Sequence, residues 1–287
     1  HNLSAPITAA YHLLPSDIND YQSVAAAVRE ASPDYIFHLA AQSFVPASWT
    51  APRATIEANV LGTLNVLEAV RAEHKDAVFH LASTSESYGH VLPEECPISE
   101  DQPLRPLSPY GVSKAAADML TRQFAASYGL RAVVTRAFNH SCPRRGQVFA
   151  ESQWARDIAL YEAGRKTTAL QHGNLDAIRD YTDARDIVQG YIAAVEHGKS
   201  GEVYNLGWGA QQALSMGEVL KILLSLSSEP SIKTEANQKH MRPSDVPRLV
   251  ADASKARAEL GWTPSIPFIK TMQDLLDYWR DQIEILF

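Results

Sequence analysis

No glycine stands in the first 61 residues of this 287-residue chain; the earliest of its 14 is Gly62. An α/β fold that binds a dinucleotide opens with a strand and a glycine-rich turn, and nothing of that form precedes Gly62. Either the chain is not of that class, or His1 already falls inside the fold. Cysteine is nearly absent as well: Cys96 and Cys142 cannot build a disulfide framework or a four-cysteine zinc site, and no metal is expected. No apolar run approaches the ~18 residues that cross a bilayer, and the first residues do not read as a signal peptide, so the cytoplasm is the expected compartment. A basic excess is also lacking. With 33 acidic and 26 basic side chains the formal charge is −7, which gives no electrostatic footprint for nucleic acid and no lysine block for a membrane surface.

What the chain does have is an alternation of short apolar runs with helical periodicity. Asp20 is placed to cap a helix through residues 23–28 that ends before Pro33. Residues 35–40 read as a compact apolar strand. From Pro52 onward, Ile56, Val60, Leu64, Leu67 and Val70 recur at three- and four-residue steps, one face of a long helix. Residues 77–82 predict a second strand, residues 109–128 a helix stopped by Gly129, and residues 132–135 a third strand. Strands that are apolar throughout and separated by helices predict an α/β fold, a doubly wound parallel sheet covered on both faces. Beyond residue 140 the rhythm loosens. Asp183 is placed to cap a helix through Val188, Tyr191 and Val195, and residues 203–206 predict a last sheet strand. Helices near 215–226, 253–260 and 268–283 complete a smaller C-terminal lobe.

The chemistry concentrates in two segments. Tyr110-Gly111-Val112-Ser113-Lys114 sets a phenol and an ammonium four residues apart, on one face of the predicted helix. A phenol of pKa ~10 is a poor acid–base at neutral pH unless a cation supports its phenolate. The spacing alone also fits an exposed aromatic beside a solvated lysine. Upstream, directly after a predicted strand, stands Ser83-Thr84-Ser85-Glu86-Ser87-Tyr88-Gly89. Strand C-terminal ends are where doubly wound sheets hold ligands, and hydroxyls there can complete a proton-transfer set with Tyr110 and Lys114.

These segments, with His38-Leu39-Ala40-Ala41 and Asn59, resemble the extended short-chain dehydrogenases/reductases, the NAD-dependent epimerase/dehydratase group. The resemblance runs over essentially the whole chain. It is nearest to the enzymes of GDP-deoxysugar synthesis that reduce GDP-4-keto-6-deoxy-D-mannose or dehydrate GDP-mannose. It implies an opening strand, glycine-rich turn and helix upstream of His1. It also divides the chain into a dinucleotide-binding Rossmann part (1–140 and 175–206) and a nucleotide-sugar lobe (141–174 and 207–287).

Marks of both activities are present. Ala41-Gln42-Ser43-Phe44-Val45, Ser83-Thr84-Ser85-Glu86 and Pro143-Arg144-Arg145-Gly146 point to the dehydratase. Pro93-Glu94-Glu95, Leu104-Arg105-Pro106, the run from Arg179 to Gln189 and Arg242-Pro243-Ser244-Asp245 point to the reductase. After Phe149 the dehydratase pattern has Thr-Arg-Lys where this chain has Glu151, Ser152 and Gln153. The reading favours a reductase of the C4 ketone using NADPH or NADH, with the NADP-dependent 4,6-dehydratase as alternative and a non-catalytic nucleotide-binding sensor as a third.

The resemblance implies a catalytic set of Thr84, Ser85, Glu86, Tyr110 and Lys114. It implies cofactor contacts from Asp17 and Ile18, at the end of an early strand, from Leu39, Ala40, Ala41, Gln42 and Ser43, and from His140 and Arg145. For the GDP-sugar it implies Ser85, Glu86, Asn139, Arg179, Arg242, Ser244 and Asp245, the arginines suiting a diphosphate through bidentate guanidinium contacts. His140 also fits a packed, hydrogen-bonded residue. A homodimer through a four-helix interface is implied too, with Leu61, Met119 and Phe124 as contributors.

Overall fold

The computed structural model describes residues 11–241 and 246–286. Helix α1 (Tyr21–Ala31) begins where the Asp20 carboxylate accepts from the Gln22 N–H and buries Val24, Ala25 and Val28. Strand β1 (Tyr35–His38) is shorter than the apolar run suggests. Its last ladder partner is His38 opposite Leu81, and Leu39 beyond it is 59% exposed.

The single long helix expected from Pro52 is interrupted. After α2 (Val45–Thr50) come α3 (Pro52–Ile56), one π-helical turn (Glu57–Leu61) and α4 (Gly62–Glu73). The wider turn rotates the face that meets the core, so Thr55, Asn59, Thr63 and Val66 are buried while Ile56, Val60 and Leu64 are only half-buried. Leu67 and Val70 reach the core as expected.

β2 (Val78–Thr84), α5 (Pro109–Tyr128) and β3 (Ala132–Ala137) follow. Ser108 caps α5 by accepting from the Gly111 N–H, Pro109 fills the first turn, and Gly129 ends the helix at φ 67°, a left-handed conformation that glycine adopts without a Cβ penalty. The chain continues through β4 (Asn139–Ser141), α6 (Ala150–Glu162), β5 (Leu170–His172), β6 (Ile178–Asp183), α7 (Ala184–His197) and β7 (Val203–Leu206). It ends with β8 (Ala213–Ser215), α8 (Met216–Ser225), β9 (Thr234–Ala236), β10 (Arg248–Leu249), α9 (Ser254–Leu260) and α10 (Phe268–Leu286).

The main sheet runs β1-β2-β3-β7, all parallel. Helices α1, α4 and α5 cover one face over Phe79, Leu81 and Val134; α7 and α9 cover the other over Val78, Val133 and Leu206. The fold is therefore doubly wound and Rossmann-like. A second sheet, β10-β6-β4 with β8 antiparallel on β6, and the pair β5-β9 lie in the remaining part, where Trp154, Ile158, Leu223 and Leu275 of α6, α8 and α10 form a separate core.

Two further expectations change. Among the described residues no strand leads to Asp17: residues 12–17 are irregular, without a neighbouring strand to supply a ladder. The exposed Asp17 carboxylate instead closes a turn by accepting from the Asn19 N–H, and Ile18 packs against the core of α4. Phe124 is 4% exposed and faces the sheet, unlike Leu61 and Met119, which are 49% and 60% exposed. Among the described residues no helix is long and apolar enough to cross a membrane.

Candidate active site

The site begins where β2 runs out. At Thr84 the strand passes into a 3-10 turn, Ser85–Ser87, and the Thr84 hydroxyl accepts from the Glu86 N–H at 3.3 Å. Helix α5 enters alongside, and its Tyr110 phenol is hydrogen-bonded to Thr84. Burial, reinforced by the nearby Glu86 carboxylate, pushes the phenol up to about 12, against the pull of the Thr84 hydrogen bond and the Arg145 charge. One turn along, Lys114 is 5% exposed and donates to the Ala82 carbonyl at 2.9 Å; burial lowers its ammonium to about 8. Thr84, buried Ser85, Glu86, Tyr110 and Lys114 thus come together at the C-terminal edge of a parallel sheet.

Asn59, a mark of the resemblance without an assigned role, organises the neighbouring loop. From the π-helical turn its side-chain oxygen accepts from the Gln42 N–H at 2.8 Å, and its nitrogen donates to the Gln42 carbonyl at 3.0 Å and to Ser113 Oγ at 2.9 Å. It holds the segment after β1, which carries Leu39, Ala40, Ala41, Gln42 and Ser43, against α5. Below it, His38 Nε2 meets Thr63 Oγ1 at 2.9 Å, and the Thr63 hydroxyl donates to the Asn59 carbonyl at 2.6 Å.

A cavity of about 400 Å³ opens beside this edge, between α2, the start of α6 and the β5–β6 region. Asn139, Arg145 and Arg179, distant in sequence, all line it. Arg145 donates from Nε to the buried Glu151 carboxylate at 3.0 Å and lies 3.7 Å over the Phe149 ring. Arg179 donates to the carbonyls of Ile178 and Val246 at 2.9 and 2.7 Å. His140 is on the same β4 segment but does not line the cavity. Its Nδ1 donates to the Phe138 carbonyl at 2.9 Å, and burial, with the Arg145 charge, lowers it to about 4, the packed arrangement. Arg242, Ser244 and Asp245 lie outside the described residues.

The sequence did not single out Trp49, Glu151, Trp154 or Lys239 as site residues, although all line the cavity. Only the Glu151–Arg145 pair left a signal, opposite charges either side of the start of α6. Among the described residues no group of three His, Cys, Asp or Glu side chains is arranged to hold a metal ion.

The site's chemistry fits a nicotinamide dinucleotide. Lys114 is a nearly buried ammonium with one protein acceptor, the Ala82 carbonyl, among the described residues. Its other N–H groups suit ribose hydroxyls, and the small side chains of Ala40 and Ala41 leave the end of β1 open to close approach.

A family model described as GDP-mannose 4,6 dehydratase matches residues 1–275. The chain is 31% identical to the GDP-6-deoxy-D-mannose reductase of Pseudomonas aeruginosa over 88% of its own length and 82% of that protein. It is 33% identical to the GDP-mannose 4,6-dehydratase of Yersinia enterocolitica over 87% and 74%. Among solved structures it is similar to RMD from Pseudomonas aeruginosa complexed with NADPH, with TM-score 0.86 and 31% identity, covering 96% of this chain and 93% of that one. It is also similar to DesIV, the dTDP-glucose 4,6-dehydratase of Streptomyces venezuelae with NAD bound, with TM-score 0.81 and 26% identity over 94% and 80%.

Proposed function

Since this chain belongs to the GDP-mannose 4,6-dehydratase family of extended short-chain dehydrogenases/reductases, we propose that it reduces the C4 ketone of GDP-4-keto-6-deoxy-D-mannose. Asp17, Ile18, Leu39 to Ser43, Tyr110, Lys114, His140 and Arg145 would hold NADPH or NADH. When bound, that cofactor supplies the hydride. The observation that carries the choice of a reductase is the sequence after Phe149, where Glu151, Ser152 and Gln153 stand in place of the Thr-Arg-Lys of the dehydratase pattern. Reduction of a ketone needs an acid at the carbonyl oxygen, and the buried Tyr110 phenol is placed to serve as that acid.

In this reading the Thr84 and Ser85 hydroxyls orient the sugar's C4 oxygen. Tyr110 Oη delivers its proton to that oxygen as negative charge develops on it, and Lys114 stabilises the phenolate left behind. Glu86 binds a sugar hydroxyl. Asn139 and Arg179 hold the diphosphate end in a cavity where Lys239 adds a further positive charge. Residues 1–140 with 175–206 serve the cofactor, and 141–174 with 207–287 the nucleotide-sugar. Tyr110→Phe removes the proton donor alone. Turnover should fall by several orders of magnitude with the affinity for GDP-sugar nearly intact, as for an interaction made only in the transition state; unchanged turnover excludes the mechanism.

The exposed Leu61 and Met119, on the π-helical turn and α5, also support a homodimer through these helices. Sedimentation at micromolar concentration reads it directly, a dimer being expected and a monomer contradicting it.

A further inference from the structure

The turn that carries Thr84 and the helix that carries Tyr110 are also joined at a second, deeper level. Arg136 of β3 is 1% exposed, yet it is charged and central. Its Nε and Nη2 donate to the two carboxylate oxygens of Asp118 at 2.8 and 3.2 Å, and its Nη1 donates to Tyr88 Oη at 3.0 Å and to the Glu100 carbonyl at 3.2 Å. The Tyr88 hydroxyl in turn donates to Asn205 Oδ1 at 2.7 Å, and the guanidinium lies 4.9 Å from the Tyr88 ring centre. Asp118, Tyr88 and Asn205 are all fully buried.

Such a network is hard to explain as stabilisation. Withdrawing a guanidinium and a carboxylate from water costs several kcal/mol per ion, and apolar replacements of similar volume often hold a fold as well or better. What an ionic network with bidentate geometry does supply is a fixed relative position. Its members are placed where position counts. Asp118 follows Lys114 by one helical turn, on the same face of α5. Tyr88 closes the 3-10 turn by donating its N–H to the Ser85 carbonyl at 3.0 Å. Arg136 lies directly opposite Ser83 in the β2–β3 ladder.

We propose that Asp118, Arg136 and Tyr88 form a positioning clamp that fixes the Thr84–Ser85 hydroxyls relative to Tyr110 and Lys114. None of the three lines the cavity; they act through the Thr84–Ser85 turn and the Tyr110–Lys114 face of α5. The inference rests on the catalytic reading above and assigns that site a support.

Tyr88→Phe keeps the ring and removes the hydroxyl, while Asp118→Asn keeps the shape and removes the charge. Each is assayed for kcat and KM at 25 °C in the intact protein, beside its thermal midpoint and its affinities for GDP and for reduced cofactor. A displacement of reacting groups by a fraction of an ångström to one ångström costs up to about 100-fold, so a clamp predicts kcat lowered about 10- to 100-fold. GDP and cofactor affinities should stay within about twofold. A lowered thermal midpoint with kcat unchanged overturns the proposal, because the network is then structural only. Equal losses of kcat and GDP affinity overturn it too, as general loosening. If wild type transfers hydride only from GDP-mannose, the reductase reading fails, and the same variants decide the clamp on that transfer. Wild type inactive on both sugars contradicts reading and clamp together.

Discussion

Gly111 lies so close beneath Glu86 that a Cβ atom on it would stand 2.8 Å from the Glu86 carbonyl oxygen. The backbone at Gly111 is ordinary right-handed helix, so the glycine is there for proximity and not for conformation. It lets the first turn of α5 abut the turn that carries Thr84, within reach of the Thr84–Tyr110 hydrogen bond. Gly111→Ala should therefore lower kcat by about 10- to 100-fold through displacement of these two groups. Overpacking should also cost about 1–3 kcal/mol of stability. Initial rates and a urea titration check both, and an Ala variant with wild-type kcat contradicts the account of this contact.

Three histidines, His38 and His80 buried and His140 half-buried, set the acid side of stability. His38 is lowered to about 4 by burial and then the Lys114 charge, His80 to about 3 by burial and then His38 and Lys114, and His140 to about 4 by burial and then Arg145. Each folded-state pKa lies below the unfolded value near 6.5, so between these limits the unfolded chain binds more protons. Their contribution is fully present above about pH 6.5 and is lost as pH falls toward 4, at up to about 1.4 kcal/mol per unit for each histidine. Asp180 runs the other way: burial holds it up at about 6, against hydrogen bonds from the Gly209, Ala251 and Trp208 N–H groups, so its part is lost as pH rises from about 4 to 6. Three groups outweigh one. The urea midpoint should fall steeply from pH 6.5 to pH 4, and His80→Gln should flatten the slope; a level midpoint across that range contradicts this.

Much of the architecture was legible because local signals agreed with the tertiary result. Helix α5 carries its own start in Ser108-Pro109 and its own stop in Gly129, and the apolar runs that open strands β2 and β3 declare burial on both faces. The π-helical turn was not legible, because a 3.6-residue pattern read through Ile56, Val60 and Leu64 assumes unbroken α-geometry. The buried contact there is made by Asn59, a polar residue that no hydrophobic period can flag. In the site, Thr84, Tyr110 and Lys114 followed from one strand end and one helix. The cavity did not: Trp49, Glu151 and Lys239 share a wall only through tertiary packing. The strand expected before Asp17 is the opposite case: residues 12–17 are irregular and Asp17 closes its own turn.

The most direct test of the catalytic reading offers the purified protein two reactions in parallel. One is GDP-4-keto-6-deoxy-D-mannose with NADPH or NADH, followed by absorbance at 340 nm and by product analysis; the other is GDP-mannose with the oxidised cofactor, followed by product analysis because dehydration leaves the cofactor's redox state unchanged. Wild type should reduce the keto-sugar and leave GDP-mannose unconsumed, and Glu86→Gln should retain most of that reduction, because ketone reduction needs no second acid–base. Conversion of GDP-mannose to the keto-sugar by wild type, abolished in Glu86→Gln, would contradict the reductase and establish the dehydratase in its place.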